Sequence, residues 1–143
     1  MKTGQLLLLA GLYLSALQDL REKKINLLIP LIVSTGLLII SLINGRRIEV
    51  ILTGCLGGIM ILVLSWLSKG QIGSGDGAVL IMTGIWTGFI KNMVLMLLAS
   101  ALLIIFALSA MAGGKISLKS RIAFVPFILA AFVIMLAFGG GGT

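Results

Sequence analysis

Histidine is missing from the 143-residue chain, and cysteine occurs once, at Cys55. Without histidine there is no HExxH zinc helix and no serine–histidine catalytic pair. A single thiol excludes an internal disulfide and a zinc site built on cysteines. Charge is scarce as well: charged residues make up 10% of the chain, where a soluble domain carries about 25%. Acidic side chains number only four, Asp19, Glu22, Glu49 and Asp76. In their place stands hydrophobic sequence, 59% of the chain. So much apolar surface in so short a chain would leave nothing polar to face water, which implies an integral membrane protein. The net charge of +7 suits basic loops against anionic lipid. The basic residues are scattered between apolar runs, which argues against nucleic-acid binding.

Six apolar runs are legible, at about 4–19, 26–44, 48–68, 77–90, 92–112 and 122–138. The first and fourth are short for a hydrocarbon core of roughly 30 Å. Helices are the default in lipid, because every backbone polar group must be satisfied internally; strand-like alternation is missing. The expected fold is an all-α membrane protein of about six transmembrane helices. It forms a single membrane-embedded unit over 1–143, with 139–143 a flexible glycine-rich tail. The opening "MKTGQLLLLAGLYL" has the look of a secretory signal. It runs directly into a charged stretch and another apolar run, however, and "YLSALQDL" is a poor cleavage site. It is read as the first span.

The connecting segments are "DLREKKIN", "NGRRIE", "SKGQIGSGDG", "IKN" and "GGKISLKSR". If the spans alternate, one side holds Arg21, Lys23, Lys24, Lys69, Lys115, Lys119 and Arg121, and the other Lys2, Arg46, Arg47 and Lys91. The excess places the first, third and fifth loops in the cytoplasm of a multi-pass inner or plasma membrane protein, with both termini outside.

Asp19 ends the first run and Asp76 opens the fourth, so the alternating topology brings both to the cytoplasmic face. An ionisable group at a bilayer is costly and usually has a partner or a task. The plain alternative is two interfacial charges facing water, paired with Arg21 and Lys69. The glycines around Asp76, among them Gly73, Gly75 and Gly77, weigh against it. They weaken helix and permit positive φ and close backbone approach, so Asp76 is expected on irregular backbone beside a polar cavity. Two carboxylates at short range share a proton. The ionised one can take a proton from water while the neutral one protonates a scissile carbonyl. That chemistry is aspartic proteolysis, and it calls for no cofactor and no metal. A Ser–Lys dyad, Ser74 with Lys69 or Ser117 and Ser120 with Lys115 or Lys119, is the remaining proteolytic alternative.

These residues resemble a known family. "GSGD", Gly73 to Asp76, is similar to the GxGD signature of type IV prepilin peptidases, preflagellin peptidases and presenilin-like proteases. "DLREKKIN" resembles the prepilin peptidase pattern of Asp, a basic residue, then Ile-Pro-Asn, with Lys24, Ile25 and Asn26 in place and the proline absent. "RIAFVPFILAAF" resembles the Ile-Pro-Phe-x-Pro-Phe segment of the last span; Pro126 and Phe127 match, and Ala123 replaces the first proline. The lysine that often follows GxGD is missing from Gly77-Ala78-Val79-Leu80, and the paired CxxC motifs of longer members, with their methyltransferase region, are absent. The resemblance therefore implies a compact GxGD aspartic protease, similar in size to tight-adherence pilus and preflagellin peptidases. It implies Asp19 and Asp76 as catalytic residues, Gly73, Gly75 and Gly77 as active-site backbone, and Lys24, Asn26, Pro126 and Phe127 as a substrate or structural motif. The implied partner is a prepilin-like precursor whose short basic leader ends in a glycine before an apolar helix, cut at the cytoplasmic face.

Other features read as architecture. Gly54, Gly57 and Gly58, and Gly84 with Gly88, are small-xxx-small patterns that mark close helix packing. Trp66 and Trp86 read as interface anchors, Arg46 and Arg47 as headgroup contacts, and Pro126 as a kink in the last span. Membrane lipid is a partner, and a homodimer is compatible with the sequence. Two readings compete with the peptidase: a small membrane carrier using the two acids as a proton or cation relay, and an inactive pilus-assembly scaffold of the same fold. A carrier calls for paired inverted halves with matching broken helices, and only the segment around Asp76 is strongly broken.

Overall fold

The computed structural model describes residues 2–22, 26–69, 73–117 and 122–139. Six helices follow one another, α1 (Lys2–Glu22), α2 (Leu28–Ile43), α3 (Ile48–Leu67), α4 (Ser74–Thr87), α5 (Phe89–Ala112) and α6 (Val125–Phe138). No strand occurs among the described residues. Each helix coincides with one of the apolar runs, give or take a few residues. Two are long and apolar enough to cross a bilayer: α3, with 20 residues and mean hydropathy 2.3, and α5, with 24 residues and mean hydropathy 2.7. α4 has 14 residues, a length of about 21 Å.

α4 is the hub, with α1, α2, α3 and α5 all packed on it, while α6 closes the bundle between α5 and α1. Its central place is visible in its burial: Val79, Leu80, Met82, Thr83, Gly84, Ile85 and Trp86 are all buried. α1 runs antiparallel to it. Gly4 lies against the Trp86 ring, Gly11 against Val33 and Met82, and Asp19 lies toward Asp76 at the other end.

The α3–α4 contact is backbone on backbone. A Cβ on Gly54 would overlap the Gly84 carbonyl, and one on Gly84 would overlap the Gly54 carbonyl. One turn along, a Cβ on Gly58 would stand 2.6 Å from the Gly77 carbonyl oxygen. The expected small-residue packing is therefore present, and absent side chains are what allow it. Beside this seam sits Asn92 of α5, fully buried. Its Nδ2 donates to the carbonyls of Gly54 (3.1 Å) and Leu80 (3.0 Å), and its Oδ1 accepts from the Thr83 hydroxyl (2.7 Å). One amide thus ties α3, α4 and α5 together.

Several expectations are corrected here. "IKN" is not a connection: Ile90, Lys91 and Asn92 belong to the first turns of α5, and Gly88 alone separates α4 from α5. Gly88 has φ +78, a left-handed value that glycine adopts without steric cost. Trp86 is no interface anchor. It is 5% exposed, because Gly4 makes room for its ring. Arg46 contacts protein: its guanidinium lies 4.8 Å from the Trp86 ring centroid and donates to the Trp86 carbonyl. There it caps the C-terminal end of α4, where a cation is favoured. Arg47 and Trp66 are exposed, Trp66 at 82%. Pro126 does not kink α6. It lies in the first turn, where the residue four back, Ile122, lies outside the helix, so its ring meets no helical carbonyl and its missing N–H has no intrahelical partner to lose.

Candidate active site

Asp19 sits in the last turn of α1 and is 7% exposed. The water-facing alternative is therefore excluded for this residue, while its neighbour Arg21 is exposed. Its Oδ2 accepts a hydrogen bond from the Val125 N–H at 3.1 Å, across 106 residues of sequence. Val125 is the first residue of α6. The carboxylate thus joins α1 to the start of the segment that contains Pro126 and Phe127. Phe127 in turn packs on Phe106 of α5, ring centroids 5.4 Å apart.

Asp76 lies in the first turn of α4, half-buried, at the end of the packed α1–α4 pair where Asp19 also lies. The backbone around it differs from the expectation. Ser74, Gly75, Asp76 and Gly77 are helical, and Gly73 precedes them in an extended conformation (φ −64, ψ 116), its carbonyl accepting the Asp76 N–H at 3.2 Å. The positive-φ glycines among the described residues are Gly45, Gly88 and Gly114. At Gly73 and Gly77 the missing side chain answers to space and not to torsion. A Cβ on Gly73 would come within 2.9 Å of Asp76 Oδ2, and one on Gly77 within 2.8 Å of Leu62 and 3.0 Å of the Gly58 carbonyl oxygen. Gly73 leaves room for the carboxylate, and Gly77 brings α4 against α3. Gly75 is buried in the same turn.

Asn26 shapes the chain between α1 and α2. Its Oδ1 accepts from the Leu28 N–H (3.2 Å), and its own N–H donates to Gln18 Oε1 (3.3 Å), next to Asp19. It is a turn-forming residue that follows the end of α1. Lys24 lies outside the described residues. At the end of α3, Lys69 is exposed and adopts φ 52. No cluster of three His, Cys, Asp or Glu side chains that could hold a metal ion exists among the described residues. Val125 is the site residue that sequence reading missed; the available signal was the proline beside it, since proline is favoured in the first turn of a helix.

A family model for the type IV leader peptidases matches residues 6–108. The chain belongs to the type IV leader peptidase family. The matched segment contains both aspartates and α2 to α4 entire, and it ends inside α5. No curated protein and no solved structure matches the chain. Membership gives this leader peptidase homologue its general role, a peptidase of the prepilin-processing kind acting on prepilin-like substrates. Together with the two bilayer-length apolar helices it also makes the chain a membrane protein.

Proposed function

We propose that the chain is a membrane aspartic endopeptidase that removes the short basic leader of type IV pilin-like precursors. It cuts after the glycine that ends the leader, at the cytoplasmic face of a multi-pass membrane fold of about six spans. Asp19 and Asp76 are the catalytic dyad, and between them they activate the water that attacks the scissile carbonyl. What supports this reading is that the chain's only two aspartates, 57 residues apart in sequence, fall at the same end of two packed antiparallel helices, Asp19 in the last turn of α1 and Asp76 in the first turn of α4. A half-buried site at a helix end, with glycine at Gly73 leaving space beside the carboxylate, suits a peptide bond flanked by glycine. The substrate's apolar helix packs against spans of this chain, in the way small-residue surfaces let helices approach.

The membrane placement has a direct test. Arg21 on α1 and Ser74 on α4 are exposed, each two residues from an aspartate. In a Cys55→Ala background, Arg21→Cys and Ser74→Cys should both react with a membrane-impermeant maleimide from the cytoplasmic side. Arg47→Cys should react only from the other side. Reaction of the first two from opposite sides would place the aspartates on different faces and end the dyad reading.

A further inference from the structure

The start of α6 accounts for its backbone donors in full only through Asp19. Pro126 has no N–H, and the N–H groups of Phe127 and Ile128 turn back to the Phe124 carbonyl at 3.0 and 3.3 Å. The Val125 N–H goes to Asp19 Oδ2. Buried backbone donors are almost always paired, and Val125 is fully buried, so this bond is part of how α6 begins. It also has a consequence for the carboxylate. A hydrogen bond from an N–H at a helix N-terminus is stronger when its acceptor is an anion.

We propose that the first turn of α6 divides the work of the dyad: Val125 holds Asp19 as the ionised general base, and Asp76 carries the shared proton. This rests on the reading of Asp19 and Asp76 as the catalytic pair. The surroundings support the assignment. α1 packs on α2, α4 and α6. Neither α2 nor α6 contains a titratable side chain, and Asp76 is the one that α4 contains. On α1 itself, Tyr13, Arg21 and Glu22 are exposed, and Lys2 is at the far end. Among the described residues on these helices, the titratable group on the side of Asp19 is therefore its partner acid, and the Val125 N–H is a hydrogen-bond donor held on the Asp19 carboxylate at 3.1 Å.

The chemistry follows with each proton placed. Asp19, anchored through Oδ2, takes a proton from water on Oδ1 as the water oxygen bonds to the scissile carbonyl carbon. Asp76 gives its proton to the carbonyl oxygen, leaving a neutral gem-diol, a protonated Asp19 and an ionised Asp76. On collapse Asp19 returns its proton to the amide nitrogen as the C–N bond breaks and its electron pair goes to nitrogen. A gem-diol hydroxyl gives its proton to Asp76 as the carbonyl re-forms. The products are the leader's carboxylic acid and the amine of the mature chain, and both acids regain their starting states.

Because Asp19 and Asp76 are the only aspartates, 13C-aspartate labelling of the full chain in nanodiscs gives two side-chain carboxyl signals. Asp19→Asn and Asp76→Asn assign them by loss. On lowering the pH, the Asp76 signal is expected to shift to the protonated form first while Asp19 remains a carboxylate; the reverse order overturns the proposal. A second arm removes the N–H. Val125→Pro is expected to bring the two titrations together and to lower kcat about tenfold or more with KM held within about twofold, the scale of one hydrogen bond to a charged group. Val125→Ala restores the N–H and should recover the titration order and most of kcat. Phe124 is helical (φ −92, ψ −34), which a following proline disfavours, so Val125→Pro is read only if its gel-filtration profile matches wild type. An unchanged titration order in such folded Val125→Pro protein overturns the proposal. If Asp19→Asn and Asp76→Asn both still cut a leader peptide, it is the catalytic-pair reading that fails, whichever carboxyl titrates first.

Discussion

Asp19→Asn, Asp76→Asn and the double variant are each expected to lower leader cleavage by about the same factor, on the order of 10³ or more. The amide cannot take a proton from water and cannot give one to a carbonyl oxygen, so either substitution stops the same step. Once the step is stopped, losing the second acid adds little. The fold should survive. The Asp19→Asn variant would keep an oxygen able to accept the Val125 N–H that Asp19 accepts at 3.1 Å, and Asp76 is only half-buried. Single-turnover rates on a leader-bearing peptide, with circular dichroism as the check on folding, decide it. Losses that multiply in the double variant would mean two independent roles in place of one dyad.

Gly84→Ala is expected to have the largest effect on stability of any single methyl addition. Its Cβ would overlap the Gly54 carbonyl oxygen and stand 2.9 Å from Asn92 Nδ2. Neither obstacle is a flexible side-chain tip. The first is helix backbone, and the second is an amide held by the Gly54 and Leu80 carbonyls and the Thr83 hydroxyl. α3 and α4 would have to separate, and the Asn92 bonds would break with them. Overpacking of this kind costs about 3 kcal/mol or more, an apparent Tm lower by roughly 10 °C for a chain of this size. Gly113→Ala is the matched control. Its φ is −80, its nearest neighbour would be 3.6 Å away, and its effect should stay within about 0.5 kcal/mol. Equal melting of the two variants would show that the glycine seam does not hold the hub helix in place.

The helices were legible because charged or glycine-rich stretches bound each apolar run, and the shared position of Asp19 and Asp76 followed from counting those runs. What stayed hidden was set by long-range neighbours. Trp86 looks like an interface residue until Gly4, on another helix, is seen to accept its ring. Arg46 looks like a lipid contact until the end of α4 is placed above it. "IKN" looks like a loop because it interrupts an apolar run, although a single glycine at Gly88 makes the turn and Lys91 begins the next helix. The glycines near Asp76 signal a special site in sequence, but sequence alone does not separate positive φ from lack of space; here Gly77 is needed for room against α3. The bond between Asp19 and Val125 joins residues too distant for any local pattern to pair them.

The proposed function requires this chain by itself to cut a leader from a pilin-like precursor through its two aspartates. The most direct measurement is mass spectrometry of such a precursor after incubation with the purified chain in nanodiscs, with Asp76→Asn protein alongside. The wild-type chain is expected to give one new pair of products, a basic leader ending in glycine and a mature chain beginning at the apolar helix, and Asp76→Asn to leave the precursor intact. Intact precursor in both samples, or the same products from both, would contradict the proposed function.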